Sequence, residues 1–351
     1  VNNKSKSLIA AFSLLATGLV PYSGAVNAQT RKTTAGQAAS SVASVNDPAA
    51  LLPSSDAIIS VDVKRIINEA LPLFLSGDPA QLADVNSEIA KFKTETGLDP
   101  RSFERVAVGM KFVSPRPGVF TSDTVAIARG TFDSGAIVAA GRIAAKGKYE
   151  EQKYGTTTIY VFNLAENMKL LGVVNTKVSQ LAVAVLDRNT LALGDLQAVK
   201  AALDTRRGGA QNADLIALAS RTPGAFLGFG ANVPVGVGNG ITIANDEITK
   251  NINSIRQVYG SAAAAGNQLD MFASAKTHNN DEAQSLNDTL AALKQFGSMF
   301  VTQMPADKGK LAQSALENLK IDRAGDEVQL KLTIPQADIA ALMRTVVKKK
   351  A

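Results

Sequence analysis

The stretch DEVQLKLTIPQADIAALMR, residues 326–344, decides how this chain is read. Up to Ile334 its apolar residues alternate with polar ones, the period of a strand with one buried face. From Gln336 the spacing changes to that of an apolar-faced helix, expected over 336–347. Residues 123–142, DTVAIARGTFDSGAIVAAGR, carry the same order of parts. Asp123, Val125, Ile127, Thr131, Phe132, Ile137, Ala139 and Arg142 fall against Asp326, Val328, Leu330, Thr333, Ile334, Ile339, Ala341 and Arg344, with one residue deleted at the joint. Residues 180–203 give a looser version: two strands joined at Asp187-Arg188-Asn189, then a helix from Asp195. Two readings stay open: a duplicated unit, or segments alike through patterning alone. Either way the unit is antiparallel strands with a helix folded back over them. The fold class expected is α+β, with two layered halves of mostly antiparallel sheet, each covered by helices on one face.

The other elements work outward from these units. A strand is expected over 57–62, then a helix to about Leu75 that Pro72 kinks or ends. Asp78 caps a helix begun by Pro79 and closed by Gly97. A strand over 104–113 leads into a loop, SPRPG, at 114–118. A hairpin turns at Tyr154-Gly155, and a short helix fills 212–220. In the second half a helix is expected over 246–259, with Ile248, Ile252, Ile255 and Val258 on one face. A longer helix over 280–304 presents Leu286, Leu290, Leu293, Phe296 and Phe300 as one stripe. The divisions are a leader at 1–28, a flexible linker at 29–50, and halves at 51–222 and 223–351.

The leader has a basic start at Lys4 and Lys6, an apolar run from Leu8 to Val20, and a small-residue site at Val26-Asn27-Ala28, the pattern of a signal peptide. Its retention as a membrane anchor is the competing reading. Export is expected, into the periplasm or beyond, with no integral membrane segment after cleavage. The 351 residues contain no Cys, so no disulfide supports the fold. Hydrophobic residues make up 46% and charged residues 19%, ordinary for a globular protein. The net charge is +6, and loss of Lys4 and Lys6 with the leader removes two of it. Export and the absence of Trp argue against nucleic-acid binding.

The chemistry-bearing residues are few. His278 is the one histidine, which excludes a zinc site built on several. A capping or solvated role suits it better than that of a triad base. GRIAAKGK, residues 141–148, misses the phosphate-loop spacing and reads as a helix end. GVGNG, with Gly236, Gly238 and Gly240, misses the dinucleotide spacing and reads as a surface loop able to contact a partner. Asn280 and Asp281 read as helix caps. Lys348, Lys349 and Lys350 complement a helix C-terminus, or touch an anionic surface. No catalytic residue, cofactor or metal site is indicated.

The run LLPSSDAIISVDVKRIINEALP (51–72), followed by GLDPRSFERVAVGMKF (97–112) and VAIARGTFD (125–133), resembles uncharacterised exported proteins of acidobacterial-type soil bacteria. The resemblance implies an envelope setting and assigns no catalytic residue. The expected function is a non-catalytic binding or structural role toward an envelope protein or surface. The alternative is a periplasmic hydrolase with Ser or carboxylate chemistry.

Overall fold

The computed structural model describes residues 47–116, 119–163, 168–170, 174–176, 180–208, 211–237, 246–301 and 303–341. The leader, residues 29–46, Gly238, Gly240 and Lys348–Lys350 lie outside them. The linker ends earlier than expected. Asp47 caps a 3-10 turn at Pro48–Leu51, and Ala49 is packed into the core at 2% exposure.

β1 (Ala57–Asp62) runs into α1, which opens at Val63–Arg65, widens to a π turn at Ile66–Ala70 and closes at Leu71–Phe74. Pro72 therefore lies inside the helix. The wide turn, in which Leu71 N–H reaches the Ile66 carbonyl, lets the chain pass a residue that has no N–H to give. α2 (Pro79–Thr96) starts and stops as expected, with the Asp78 carboxylate on Gln81 N–H and Gly97 at φ 74°. β2 (Phe103–Arg116) and β3 (Val119–Gly130) extend through most of the expected 114–118 loop, pairing as far as Arg116 with Val119. β2 has by then run past β1, whose last partner is Met110, so the missing N–H of Pro115 breaks no second ladder.

α3 (Ser134–Ala145), capped by Asp133, leads to the hairpin of β4 (Tyr149–Tyr154) and β5 (Thr157–Asn163). A small ribbon, β6 (Met168–Leu170) with β7 (Val174–Thr176), stands apart. β8 (Gln180–Asp187), β9 (Thr190–Gly194), α4 (Leu196–Gly208) and α5 (Ala213–Ala219) complete the first half. The second contains β10 (Leu227–Asn232), α6 (Asp246–Asn253), β11 (Ile255–Ala265), β12 (Gln268–Thr277), α7 (Asn280–Val301), α8 (Ala306–Asn318), β13 (Leu319–Ala324) and β14 (Glu327–Pro335), then helical residues 336–341. The helix expected over 246–259 stops at Asn253. Ile255 and Val258 belong to β11, which is held between β10 and β12, and pairing on both sides overrides the local helical spacing.

The strands form one antiparallel sheet in the order β13-β14-β12-β11-β10-β1-β2-β3-β9-β8-β5-β4. The halves thus share one sheet, joined where β1 lies beside β10. Outward from that seam the two sides repeat: β1-β2-β3-β9-β8 against β10-β11-β12-β14-β13. The registers agree as well. Val61, Val106, Ala128, Leu191 and Val185 lie in one row across the first side. Ala231, Val258, Ala275, Val328 and Arg323 make the matching row on the second. At the seam Ala57 faces Ala231 and Val61 faces Leu227, the pairing expected of an approximate twofold axis normal to the sheet. The β4–β5 hairpin extends the first side alone.

This symmetry corrects the repeat as read from sequence. The partner of β14 and its following helix is β9 with α4, the looser version of the unit. The partner of residues 123–142 is β12 with α7.

The layering also differs from expectation. One face of the sheet is apolar between its two edge strands, and α1, α2, α3 and α7 cover it with the help of Ile339. On the other face the first half is covered too. Ala107, Ile127, Ala192 and Ala184 form a fully buried row there, against α4 and α5. Their symmetry mates are Tyr259, Ser274, Gln329 and Asp322. Tyr259 and Ser274 are buried as well, α5 reaching over β10 to β11, whereas Asp322 on the edge strand is exposed. The first half thus has helices on both faces, and on this face of the second half the helical cover is confined to the strands beside the seam. The break follows from the chain after the fourth strand. Gly194 turns it tightly, a Cβ there falling 2.1 Å from the Thr124 carbonyl oxygen, and α4 enters the second face. β14 runs on to Pro335, and Ile339 packs on the first face against Ala70 and Phe74.

α5 packs directly on the seam. A Cβ on Gly228 would lie 1.7 Å from the Ala219 carbonyl oxygen, whereas one on Gly77 would meet nothing closer than 4.0 Å. Gly228→Ala is expected to lower unfolding free energy by about 1–3 kcal/mol in urea titration, and Gly77→Ala to leave it nearly unchanged.

Candidate functional site

α7 is fixed at its start by reciprocal capping. Asn279 Oδ1 accepts from Glu282 N–H at 2.9 Å, and Glu282 Oε2 accepts from His278 N–H at 3.0 Å. The cap is Asn279, one residue before the expected Asn280. Glu282 Oε2 also lies 3.1 Å from His278 Nδ1, so the histidine serves this helix start.

Further along, the stripe expected to face the core divides. Leu286 and Leu290 pack inward, but Leu293, Phe296 and Phe300 are 39%, 57% and 60% exposed, with Met299 beside them. The reason is helical periodicity. Leu286, Leu290, Leu293, Phe296 and Phe300 recur every 3.5 residues on average, and on a straight helix such a row drifts by about 20° per heptad. The buried positions are Ala283, Leu286, Lys294 and Val301, which keep the helical 3.6 spacing. A lysine thus takes the place of an apolar residue inside. Lys294 is 5% exposed as a whole residue, yet its Nζ is not among the buried side-chain atoms left without a partner, so its stem is what the helix buries. Burial pushes its ammonium pKa down. One turn and two turns on, Gly297 and Val301 line a cavity of about 350 Å³ between α7 and α8, with Phe300, Met304 and Leu316. That is the lower end of the range of small-molecule sites, about 300–1,000 Å³. Each large apolar side chain left in water forgoes about 1.5–3 kcal/mol of burial, and contiguous ones mark a contact surface.

A second cluster lies on the sheet face that carries α5, on the second half's side of the seam. Arg221 Nη1 donates to Tyr259 Oη at 2.6 Å, and Tyr259 Oη donates to Glu327 Oε2 at 2.8 Å. The Arg221 guanidinium also stacks 4.8 Å from the Tyr259 ring centre. Lys276 Nζ lies 3.6 Å from Asp326 and 3.9 Å from Glu327, and Arg256 reaches Asp326 at 3.0 Å. Burial raises the Tyr259 phenol pKa, and the Glu327 carboxylate adds to the shift. The network is internally satisfied: it gives the buried Tyr259 hydroxyl both an acceptor and a donor partner beside the end of α5.

The sequence-predicted contact loop is only partly described. Gly236 has φ 79° at the third position of a turn closed by Val237 N–H on the Pro234 carbonyl, with Val235 98% exposed at its tip. Gly238, Gly240 and Lys348–Lys350 fall outside the described residues. GRIAAKGK is a helix end, with Lys146 and Gly147 both left-handed. Among the described residues no group of three or more His, Asp or Glu could hold a metal ion. The α7–α8 cavity and Lys294 were not singled out from sequence. The signal available was the 3.5-residue spacing, together with a lysine at a 3.6-spaced position.

No family model matches the chain, and no curated protein does. Its likeness is to solved structures of TP0453. Crystal form III superposes with a TM-score of 0.43 at 11% identity, covering 86% of this chain and 99% of that one. Form I gives 0.43 at 11% identity, covering 87% and 98%.

The two clusters should respond differently to substitution. Tyr259→Phe leaves Glu327 and Arg221 without their shared partner and is expected to cost about 1–3 kcal/mol in urea unfolding. Phe296→Ser, at an exposed position, should stay within about 0.5 kcal/mol of the parent.

Proposed function

We propose that this chain is a non-catalytic binding protein of the bacterial envelope, exported by its leader, that engages its partner through the C-terminal half of α7 and the groove against α8. The observation that carries this reading is the run of exposed Leu293, Phe296, Met299 and Phe300 continuous with an apolar cavity. The leader and the resemblance to exported proteins support the envelope setting. Among the described residues no helix is long and apolar enough to cross a membrane. The hydrolase alternative has no comparable support. Ser274 Oγ lies 3.4 Å from Glu327 Oε2, a carboxylate already held by Tyr259, and Ser274 is buried at 2% exposure, out of a substrate's reach.

Anilinonaphthalene sulfonate fluorescence tests the docking surface. The native protein should enhance the dye's emission, and Phe296→Ser with Phe300→Ser should remove most of the enhancement without lowering the melting temperature. Enhancement unaffected by the double substitution would contradict the assignment. Turnover of ester, peptide or glycan substrates that a single point substitution abolishes would overturn the non-catalytic reading.

A further inference from the structure

We infer that the pocket between the β4–β5 turn and the last turns of α4 binds a phosphate monoester group, with Arg206, Arg207, Thr156 and Thr157 as its donors. The site belongs to the first half, on the sheet face opposite α7, and does not depend on the α7–α8 surface.

The pocket has a volume of about 220 Å³ and is lined by Thr156, Thr157, Leu203, Arg206 and Arg207. That is below the range of small-molecule sites, about 300–1,000 Å³, and suits one small ionic group. Local rules build it. Gly155 and Thr156 form the two-residue turn of the hairpin, and Gly155 at φ 58° supplies the positive φ that such a turn needs at its first central residue. Thr157 follows on β5, on the face that carries Ile159 and Val161 toward α4. Leu203, Arg206 and Arg207 are spaced three and four apart on α4 and share one face of it.

Both guanidinium groups are held in place. Arg206 Nη1 donates to the Leu186 carbonyl. Arg207 packs on the turn, where a Cβ on Gly155 would come 2.4 Å from its Nη2, and its Nη1 lies 3.6 Å from Asp204. Asp204 in turn accepts from the Tyr154 hydroxyl at 2.7 Å. A guanidinium has five N–H donors, so these contacts leave several free on each. Neither threonine hydroxyl has a hydrogen-bond partner among the described residues.

Charge selects the ligand. Lys200, whose Nζ stands 5.8 Å from the Tyr154 ring centre, adds a third cation beside Arg206 and Arg207, and Asp204 is the one carboxylate paired with any of them among the described residues. A phosphate monoester carries about −1.5 to −2 at neutral pH, close to the excess of cations, and takes paired contacts from guanidinium forks. A carboxylate or a phosphodiester brings a single charge. The macrodipole accounts for arginines in the last turn of α4, but not for the hairpin that closes them into a pocket. That hairpin has no mate in the second half, so the symmetric part of the sheet is complete without it.

The test is calorimetric titration of the full chain at low ionic strength with glycerol 3-phosphate, dimethyl phosphate and acetate. Saturable one-to-one binding of glycerol 3-phosphate is expected, at least about fivefold tighter than either singly charged anion. Arg206→Gln and Arg207→Gln should each weaken it about tenfold. Thr157→Val, which keeps the shape of the side chain, should weaken it about threefold at an unchanged melting temperature, so a folding effect of the arginine variants does not decide the test. Phosphatidylcholine vesicles doped with phosphatidate give the second arm. Retention on them that Arg206→Gln abolishes places the phosphate on a lipid, and binding of glycerol 3-phosphate without retention places it on a soluble molecule; both support the shared chemistry. Acetate or dimethyl phosphate binding as tightly as glycerol 3-phosphate overturns the inference, as does binding indifferent to Arg206→Gln, Arg207→Gln and Thr157→Val. Absence of both saturable glycerol 3-phosphate binding and Arg206-dependent vesicle retention also overturns it.

Discussion

The pairing of β1 with β10 is the constraint on which the rest of the structure depends. Only there do the two halves join in one sheet, with Ile59 opposite Phe229 at the centre of the seam. Because the pair is antiparallel and each side repeats the same strand order and register, the sheet has an approximate twofold axis. That axis makes each residue of one half a control for its mate in the other. Glycine at 228 and 230 is what lets α5 press on the seam, since a Cβ at either position would meet the helix backbone or Leu218.

The comparison between halves shows how one topology supports two layerings. Ala107, Ile127, Ala192 and Ala184 are apolar because α4 and α5 lie on them. Tyr259, Ser274, Gln329 and Asp322 stand at the same places, and there α5 reaches only the strands beside the seam because helix 336–341 packs on the opposite face. The difference starts at the end of the fourth strand, in Gly194 against the longer run to Pro335. Buried polar groups at Tyr259 and Ser274 must be satisfied within the protein, and the Arg221–Tyr259–Glu327 chain does so.

Much of the architecture was legible in the sequence. Period-2 runs placed most strands, and Asp78, Asp133 and Gly97 marked helix ends through local rules. Non-local effects were out of reach. Ile255 and Val258 fit a helix until β10 and β12 flank them. The segments at 123–142 and 326–344 resemble each other through patterning, yet their symmetry mates lie elsewhere, because similar local units serve different positions in the sheet. The α7–α8 site was hidden by reading Leu286 to Phe300 as one stripe. The drift between 3.5 and 3.6 residues per turn matters only over several turns, and it exchanges Leu293 for Lys294 on the buried side. Gly236, read from sequence as part of a contact loop, lies in a turn whose geometry alone points to no ligand.

Function in this account sits on the helical layer, at the end of α7, and the polar sheet face is structural. Hydrogen–deuterium exchange with and without anilinonaphthalene sulfonate tests that division most directly. The account predicts that amides of residues 293–301 exchange faster than those of 283–290 in the free protein and become protected on addition of the dye, while β11, β12 and β14 are unchanged. Protection centred on Tyr259, Ser274 and Glu327, with none on α7, would contradict it.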